Sequence, residues 1–382
     1  MGPDRAGRSG PDAPSRRVVL CYALLALLVV PVYPHFLSPN EVSRWALAAS
    51  IVEKGTPEIT EVLASIGGSI EDVSVREGRL YSNKAPGLAF LSLPGYLAAR
   101  GLNGAASPGT LRAGQNAMRI AGATVPALVL GLVLGAAALA RGASPRRAGL
   151  LTFALLFGTP VFAYGLLLFS HVLAAACLLG CFTLLFPPSG PVAPVRVVSA
   201  GALVGLATIS EYTTAVPGAL LLGCFAAAHG LRAALPALAG GGPFAAALGL
   251  YNEVCFGGPF RLSTAFEAPP EQIELASRGF FGVQFPGLDR LWALLGGPSE
   301  GLLVFSPFLA LAPLGFRAAA KTLPRAACVA LAGVPLSILL LHAGFPHGGW
   351  TVGSRYLVPA LPFLVLALAY LDDGVLERLL LG

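Results

Sequence analysis

Three ionisable side chains that could act on a phosphate-linked substrate stand beside strongly apolar stretches of this 382-residue chain. Glu41 is a carboxylate that could accept a proton, whereas Lys84 and Arg355 are cations that could bind phosphate oxygens. Arg355 lies in HGGWTVGSRYLVP, where glycines and Trp350 precede it. Glycines let a backbone approach a bulky ligand, and an indole offers a flat face to a sugar ring. These residues predict a sugar-phosphate site; an interfacial arginine within an aromatic belt is the alternative for Arg355.

Further polar residues interrupt apolar sequence at the ends of hydrophobic runs. His171, Glu211 and Asn252 are in this position, and Glu211 stands between two apolar runs with almost no loop. Ionisable side chains at such depth usually face a bundle interior or a cavity. We therefore predict that these residues line a cavity or contact substrate. A tight, solvent-exposed hairpin at Glu211 and a hydrogen-bonded interfacial histidine at His171 are the alternatives.

The segment that carries Glu41 predicts an amphipathic helix. In SPNEVSRWALAASIVEKG, Ser38 or Asn40 can cap the helix, and Glu41 falls in its first turn. Apolar residues then recur at helical spacing, which predicts a helix lying on the outer surface. A carboxylate beside low-dielectric lipid can serve as a general base. A simple interaction of a first-turn acid with the helix dipole is the alternative.

The segment that carries Lys84 predicts a short hairpin. In VREGRLYSNKAPG, Glu77 and Gly78 have the composition of a turn between two short strands. Tyr81 and Asn83 come just before Lys84, and we include both as possible substrate contacts. A lysine at the start of an apolar run suits an anionic lipid headgroup, although it could equally extend to the interface without a specific ligand.

The composition predicts a polytopic, all-α membrane protein as the setting of this site. Hydrophobic residues make up 55% of the sequence, the mean hydropathy is +0.74, and 12% of the residues are charged. A water-soluble domain cannot bury that much apolar surface. We predict about ten transmembrane helices. The apolar runs cover residues 18–32, 113–140, 148–164, 171–186, 197–211, 213–228, 235–252, 300–316, 326–344 and 356–371.

Basic residues in short segments set the predicted orientation. Arg16 and Arg17 precede the first run, and the loops RGASPRR and RAAAKTLPR are also basic, so we place all three in the cytoplasm. This orientation requires that the short run Pro86–Ala99 is juxtamembrane or re-entrant and does not cross fully. A first outer loop at 34–112 and a second at 253–299 then face the outside, together with the segment before Arg355's span.

The chain is predicted to form one membrane domain that binds neither nucleic acid nor a structural metal. Residues 1–17 read as a disordered cytoplasmic tail, 18–372 as the membrane domain and 373–382 as a short cytoplasmic tail. No basic cluster is dense enough for nucleic acid. Cys177 and Cys181 share one helix without a second ligand pair, which favours packing over metal binding.

Several segments, taken in order, resemble bacterial GT-C glycosyltransferases. They are SPNE…SRWALAASIVEKG, DVSVREGRLYSNKAPGLAFLSLPGYL, GTPVFAYGLLLFSHVLAAA, SEYTTAVPG, YNEVCFGGPF, GLLVFSPFLALAP and GGWTVGSRYLVPALPF. The resemblance is to the membrane family related to protein mannosyltransferases and aminoarabinose transferases, the family 39-like group. It spans residues 18–370, nearly the whole chain.

The resemblance implies a sugar donor carried on a polyprenyl phosphate, a reaction at the outer face and a carboxylate base early in the first outer loop. Carried over to this sequence, that base is Glu41. Members of the group often have an acidic pair there, whereas this chain has Asn40 before Glu41. Lys84 and Arg355 match the basic positions that are expected to meet the donor phosphate.

The reaction that this resemblance implies is an inverting displacement. Glu41 would deprotonate an acceptor hydroxyl, while Lys84 and Arg355 would stabilise the lipid phosphate as it leaves. Glu211 and His171 match polar cavity positions. Because two cations can neutralise the phosphate, we expect no cofactor and no obligatory divalent ion. The expected partners are the polyprenyl-phosphate sugar, membrane lipids and a lipid, glycan or protein acceptor, at the periplasmic face of a bacterial inner membrane.

Other functions share part of this pattern. A transporter or flippase for lipid-linked sugars would explain polar residues at membrane depth, but it predicts inverted repeats, and the sequence has no evident repeat. An O-antigen ligase or polymerase also uses lipid-linked sugars outside the cell, but such enzymes usually carry their large outer loop late in the chain. A non-enzymatic scaffold gives no reason for Glu41, Lys84 and Arg355 to fall on one side.

Overall fold

The computed structural model describes most of the chain. The described residues are 13–32, 38–67, 70–107, 109–268, 274, 277, 279, 282–345 and 353–372. A helix begins at Ala13, so it occupies the last part of the predicted disordered tail over residues 1–17. The predicted tail over residues 373–382 and Trp350 lie outside the described residues.

The described chain is largely helical, which confirms the predicted all-α class. In chain order its helices are α1 (Ala13–Val29), α2 (Pro39–Lys54), α3 (Thr60–Ser65), α4 (Gly87–Asn103), α5 (Leu111–Arg119), α6 (Val125–Ala140), α7 (Pro145–Phe157), α8 (Val161–Tyr164), α9 (His171–Leu185), α10 (Pro194–Ser210), α11 (Ala215–His229), α12 (Leu231–Ala234), α13 (Pro236–Phe256), α14 (Leu288–Gly296), α15 (Leu302–Phe305), α16 (Ala312–Ala319), α17 (Arg325–Ala343) and α18 (Leu361–Ala367). A π-helical turn at Ile120–Thr124 joins α5 to α6. The strands are β1 (Val73–Arg76), β2 (Arg79–Ser82) and β3 (Glu267–Ala268).

Several of these helices are apolar enough to lie in a membrane. By length and composition, four segments in the described part of the chain could cross it: Ala13–Val32, Leu111–Ala140, Tyr212–His229 and Arg325–Ala343. Shorter apolar segments are His171–Leu185, Pro194–Ser210, Pro307–Ala319 and Arg355–Tyr370. These findings support a polytopic membrane protein, while the number of about ten spans stays a prediction.

Proline and glycine divide two of the apolar runs that the sequence analysis treated as continuous. The run at 148–164 stops at Gly158 and resumes as the short helix α8 after Pro160. The run at 300–316 is interrupted by a 3₁₀ turn that begins at Pro307. Proline lacks the N–H that an α-helix needs, so hydropathy alone overestimated the length of these helices.

Helices α10 and α13 pack with their backbones in close contact. A Cβ atom at Gly201 would collide with the carbonyl oxygen of Ala237, and one at Gly240 would collide with that of Val198. Small residues allow this approach in membrane proteins, where packing and not the hydrophobic effect drives helix association. This helix pair carries Glu211 at one end, so its packing fixes part of the site described below.

Gly240→Leu is therefore expected to destabilise the protein. The added side chain would push α13 away from the α10 backbone, and overpacking of this kind costs about 1–3 kcal/mol or more. Thermal unfolding of the purified protein in detergent would measure the loss. Gly242→Leu is the matched control, because a Cβ atom there meets no atom within 4 Å. Equal losses in the two variants would contradict the packing argument.

A small sheet joins the two segments that were predicted to be outer loops. Strands β1 and β2 form the predicted hairpin, and both turn residues, Glu77 (φ 53°) and Gly78 (φ 77°), have the positive φ of a tight turn. Strand β3 pairs with β1, with Ser74 opposite Glu267. The sheet therefore connects the start of the segment at 253–299 to the hairpin of the segment at 34–112.

Helix α2 does not lie on the surface as predicted. Every residue from Asn40 to Ser50 is buried, because the hairpin, α4 and α5 pack around the helix. Its polar residues find partners inside the protein: the hydroxyl groups of Ser43 and Ser82 are 2.8 Å apart, and Ser50 donates to the carbonyl of Glu58 at 2.7 Å. Hydrophobic spacing identified the helix but could not reveal that its polar face is covered as well.

Candidate functional site

A buried arginine of α2, Arg44, is the first residue of a polar site. Arg44 is 4% exposed. Its guanidinium donates to the side-chain oxygen of Asn40, one turn earlier, and to the hydroxyl of Ser170 at 3.2 Å. Its Nε atom has no hydrogen-bond partner among the described residues. A buried cationic donor without a partner is costly, which makes this position favourable for an anion.

Arg355 enters the same site from the opposite end of the chain. The 3₁₀ turn Arg355–Ala360 positions it, and its guanidinium donates to the hydroxyl of Tyr356 at 2.7 Å. The guanidinium carbon lies 5.6 Å from the ring centre of Phe169 and 4.7 Å from that of Tyr356. Its Nε atom, like that of Arg44, lacks a partner within the part of the chain that the structure describes. The aromatic rings hold the guanidinium while leaving donor capacity for a ligand.

Lys84 follows strand β2 and lies beside a carboxylate. Its Nζ atom is 2.9 Å from Asp72 Oδ1. Burial lowers the pKa of Lys84 from its ordinary value, although Asp72 opposes this shift. Burial acts to raise the pKa of Asp72, but Lys84 outweighs it, and the pKa of Asp72 lies below its ordinary range. Lys84 and Asp72 therefore form a salt bridge beside the end of β2.

A second carboxylate, from strand β3, lies near this pair. The amide nitrogen of Asn83 is 3.4 Å from Asp72 Oδ1 and 3.3 Å from Glu267 Oε1, so it bridges the first loop to β3. Burial raises the pKa of Glu267, and the nearby charge of Lys84 opposes the shift. Asn83, which was predicted to contact substrate, thus links two carboxylates in the structure.

The charges of Arg44, Lys84 and Arg355 affect one another and the neighbouring His171 electrostatically. Burial lowers the pKa of Arg44 to about 10; the carboxylates of Glu211 and Asp72 oppose this shift, and the charge of Arg355 adds to it. Lys84, Arg44 and Arg355 all act electrostatically on the imidazole of His171. Cations brought together at low dielectric repel one another, so the arrangement is favourable only if anions offset them.

Glu41 lies in this region, and its carboxylate is bound by a fourth cation, Arg119. Arg119 donates to Oε1 and Oε2 of Glu41, both at 2.8 Å, and the backbone N–H of Leu168 donates to Oε1 at 2.7 Å. The Glu41 side chain is 0% exposed. In this bidentate, buried ion pair, both oxygens of the carboxylate already accept hydrogen bonds from within the protein. The geometry therefore gives Glu41 the position of an ion-pair partner, whereas the sequence analysis predicted it as the base.

Glu211 and His171, in contrast, face the site together. The hydroxyl of Ser170 donates to Glu211 Oε2 at 2.7 Å, and His171 Nδ1 lies 3.4 Å from the same oxygen. The His171 ring lies edge-on to Tyr356, with 5.6 Å between ring centres. Because Ser170 also accepts from Arg44, the carboxylate and the arginine share one hydrogen-bond network. Glu211 was predicted to face a cavity, and its side chain retains 19% exposure.

Two further predicted contacts lie in the packing around the site. Tyr81 is buried, and its ring meets Phe256 edge-on at 5.8 Å. Asn252 is buried at the end of α13 and donates to the carbonyl of Pro259 at 3.1 Å. Tyr81 thus packs the hairpin against the end of α13, and Asn252 fixes the segment that follows α13. In the described residues, no group of three or more His, Cys, Asp or Glu side chains could hold a metal ion.

The sequence analysis did not single out Arg44, Arg119 or Asp72. Arg119 carried a usable signal, because an ionisable residue near the start of a long apolar run usually has a buried partner. Arg44 follows Asn40 by one helical turn, so a shared role could have been considered. Asp72 offered no such signal, because it meets Lys84 only once strands β1 and β2 have paired.

Comparisons with solved structures show the fold. ArnT from Cupriavidus metallidurans in the apo state matches with a TM-score of 0.59 and 16% identity, over 95% of this chain and 62% of that protein. The same ArnT bound to undecaprenyl phosphate matches with a TM-score of 0.57. The Archaeoglobus fulgidus oligosaccharyltransferase in the apo form matches with a TM-score of 0.52 and 15% identity, over 96% of this chain and 51% of that protein.

These matches confirm the predicted GT-C fold, which both proteins have. The chain spans about 62% of the length of the ArnT that it resembles. No protein-family model and no curated protein sequence matches it. The likeness is therefore one of architecture, and the chemistry has to be argued from the site itself.

Proposed function

We propose that this chain is a membrane glycosyltransferase that moves a sugar from a polyprenyl-phosphate carrier to an acceptor at the outer face of the membrane. The GT-C fold supports this class of reaction, and one structure with that fold, ArnT, is bound to undecaprenyl phosphate. The sugar is left open, as is the choice among a lipid, glycan or protein acceptor. The positive-inside pattern of the short loops supports the outer location.

The observation that carries the proposal is that Arg44 contacts Ser170 and Arg355 lies over the ring of Phe169, the two residues that precede His171 in the chain. Lys84 is the third cation that acts electrostatically on His171. Two of these cations have a buried, unpartnered Nε among the described residues, and the third is paired only with an acid. A phosphate with several oxygens could engage all three, and Arg355 supplies the planar fork that suits it. At an outer membrane face, a lipid-linked phosphate is the anion that matches the apolar surroundings.

The chemistry follows from this placement. As the bond between the sugar and the phosphate breaks, negative charge develops on the phosphate oxygens, where the three cations stabilise it. Each preorganised contact of this kind can contribute a few kcal/mol because the site excludes most water. Glu41 contributes indirectly, by anchoring α2 to Arg119 so that Arg44 is held in place.

Two measurements on the purified full chain in lipid nanodiscs test the proposal. The first is binding of undecaprenyl phosphate, and the second is release of label from a panel of undecaprenyl-phosphate-linked sugars with water or cell-envelope lipids as acceptors. We expect submillimolar binding and turnover of at least one donor. Failure to bind undecaprenyl phosphate together with inactivity towards every donor would refute the proposed function.

The reaction is expected to survive removal of divalent ions. Three cationic side chains can offset the phosphate charge without a metal, so EDTA should change turnover by less than about twofold, well below the effect of losing one charge-stabilising contact. Turnover measured before and after chelation, with magnesium or manganese added back, checks this. A loss that manganese restores would contradict it.

A further inference from the structure

The proposed reaction needs a group that takes the proton of the acceptor hydroxyl. The two residues at the start of α2 do not offer one: Glu41 is occupied by Arg119 and Leu168, and Asn40 is an amide that accepts from Arg44. A carboxylate with an available oxygen must therefore come from elsewhere in the site. The candidates in the described residues are Glu211, Asp72 and Glu267.

We propose that Glu211 is the general base, with His171 and Ser170 as the residues that position it. This inference rests on the proposed glycosyl transfer. Oε2 of Glu211 is fixed by Ser170 at 2.7 Å and faces His171 at 3.4 Å. Oε1 receives only a long contact from the hydroxyl of Thr213, at 3.4 Å, within the described residues. One oxygen is thus oriented while the other keeps lone pairs for an acceptor hydroxyl.

The location of Glu211 relative to the cations favours it over the other two acids. Ser170 bonds both the Glu211 carboxylate and the guanidinium of Arg44, so Glu211 lies beside one of the cations that the phosphate would meet. Asp72 is held by Lys84, and its lowered pKa makes it a weaker base. Glu267 belongs to the outer strand β3 and is linked to the site through Asn83.

Glu211 also occupies a position that the fold keeps fixed. It follows the last residue of α10, and Tyr212–Thr214 form a 3₁₀ turn directly after it. The hydroxyl of Thr214 donates to the Glu211 carbonyl at 2.7 Å, which secures the backbone of the junction. Tight packing of α10 against α13 then sets the depth of the carboxylate, so the base would need little reorganisation during the reaction.

The step balances as a single displacement. The acceptor hydroxyl gives its proton to Glu211 and its oxygen forms a bond to the anomeric carbon of the sugar. The bond between that carbon and the phosphate oxygen breaks, and its electron pair stays on the phosphate, beside Arg44, Lys84 and Arg355. After the product leaves, Glu211 returns the proton to water.

The test compares Glu211→Gln with three matched amide variants in the donor panel described above. Glu211→Gln is expected to lower kcat by about 100- to 10,000-fold while changing KM and undecaprenyl phosphate binding by less than about threefold. Asp72→Asn and Glu267→Gln should each keep more turnover than Glu211→Gln. Glu253→Gln is the control, because this exposed glutamate lies at the end of α13, outside the site.

Azide separates a base from a structural residue. Azide needs no proton removal, so Glu211→Ala should still form a glycosyl azide of inverted configuration from the lipid-linked donor while transfer to hydroxyl acceptors is lost. If Glu211→Gln keeps kcat within about threefold, a loss too small for a base, the base assignment fails and the glycosyltransferase function stands. If Glu211→Ala loses both undecaprenyl phosphate binding and azide transfer, the role is structural and the assignment also fails. A wild-type chain inactive with every donor would refute the function on which the assignment rests.

Discussion

Arg355→Ala is expected to lower kcat/KM for sugar transfer by about 100- to 1,000-fold, which corresponds to roughly 2.7–4 kcal/mol of lost transition-state stabilisation. The guanidinium is held against the rings of Phe169 and Tyr356, with its Nε unpartnered among the described residues, so it is preorganised for an anion. Steady-state transfer from an undecaprenyl-phosphate sugar, measured alongside undecaprenyl phosphate binding, would report the effect. Arg355→Lys should recover only part of the loss, because lysine keeps the charge but not the planar fork.

Arg261→Ala serves as the control for this change. Arg261 is exposed on the segment after α13 and belongs to the same predicted outer loop as Glu267. Its removal changes the net charge equally, so both variants lose the same long-range attraction for an anionic lipid. If the two variants lose similar amounts of activity, Arg355 contributes only general electrostatics, and the proposed phosphate contact is wrong.

Much of the architecture was accessible from the sequence because it depends on local chemistry. Apolar composition predicted the helical membrane class, and the turn residues Glu77 and Gly78 predicted the hairpin, which the structure confirms. The order of short motifs predicted the GT-C fold, which the structural matches confirm. The placement of Lys84 beside the end of β2 follows from the same hairpin, so its position near the site could be anticipated.

The internal arrangement of the site could not be predicted, because it depends on partners that are distant in sequence. Asn83 meets Glu267 only after β3 pairs with β1. Arg44 reaches Ser170 across the bundle. Glu41 was predicted to be at the site from its position in the chain, but its carboxylate is bound by Arg119, which lies in another helix. Residue type and spacing identify which groups can do chemistry; only packing determines which of them remain available.

The second large effect concerns the buried pair of Glu41 and Arg119. Arg119→Met is expected to lower the free energy of unfolding by about 3–5 kcal/mol, because it leaves an uncompensated carboxylate in a dry interior. Adding Glu41→Gln should restore most of this loss: the amide carries no charge, and its oxygen can still accept from the N–H of Leu168. Thermal unfolding of both single variants and the double variant in detergent gives the coupling between the two sites.

The same double variant decides what Glu41 does during the reaction. If Glu41 only anchors α2, the double variant should still hold Arg44 in place, because neither buried side chain is charged. Its turnover should then stay within about tenfold of wild type, a loss of no more than 1.4 kcal/mol. If Glu41 were the base, a glutamine there would abolish turnover however well the protein folds, since an amide cannot take the proton. A double variant with wild-type stability, intact undecaprenyl phosphate binding and no turnover would therefore return the role of base to Glu41 and remove it from Glu211.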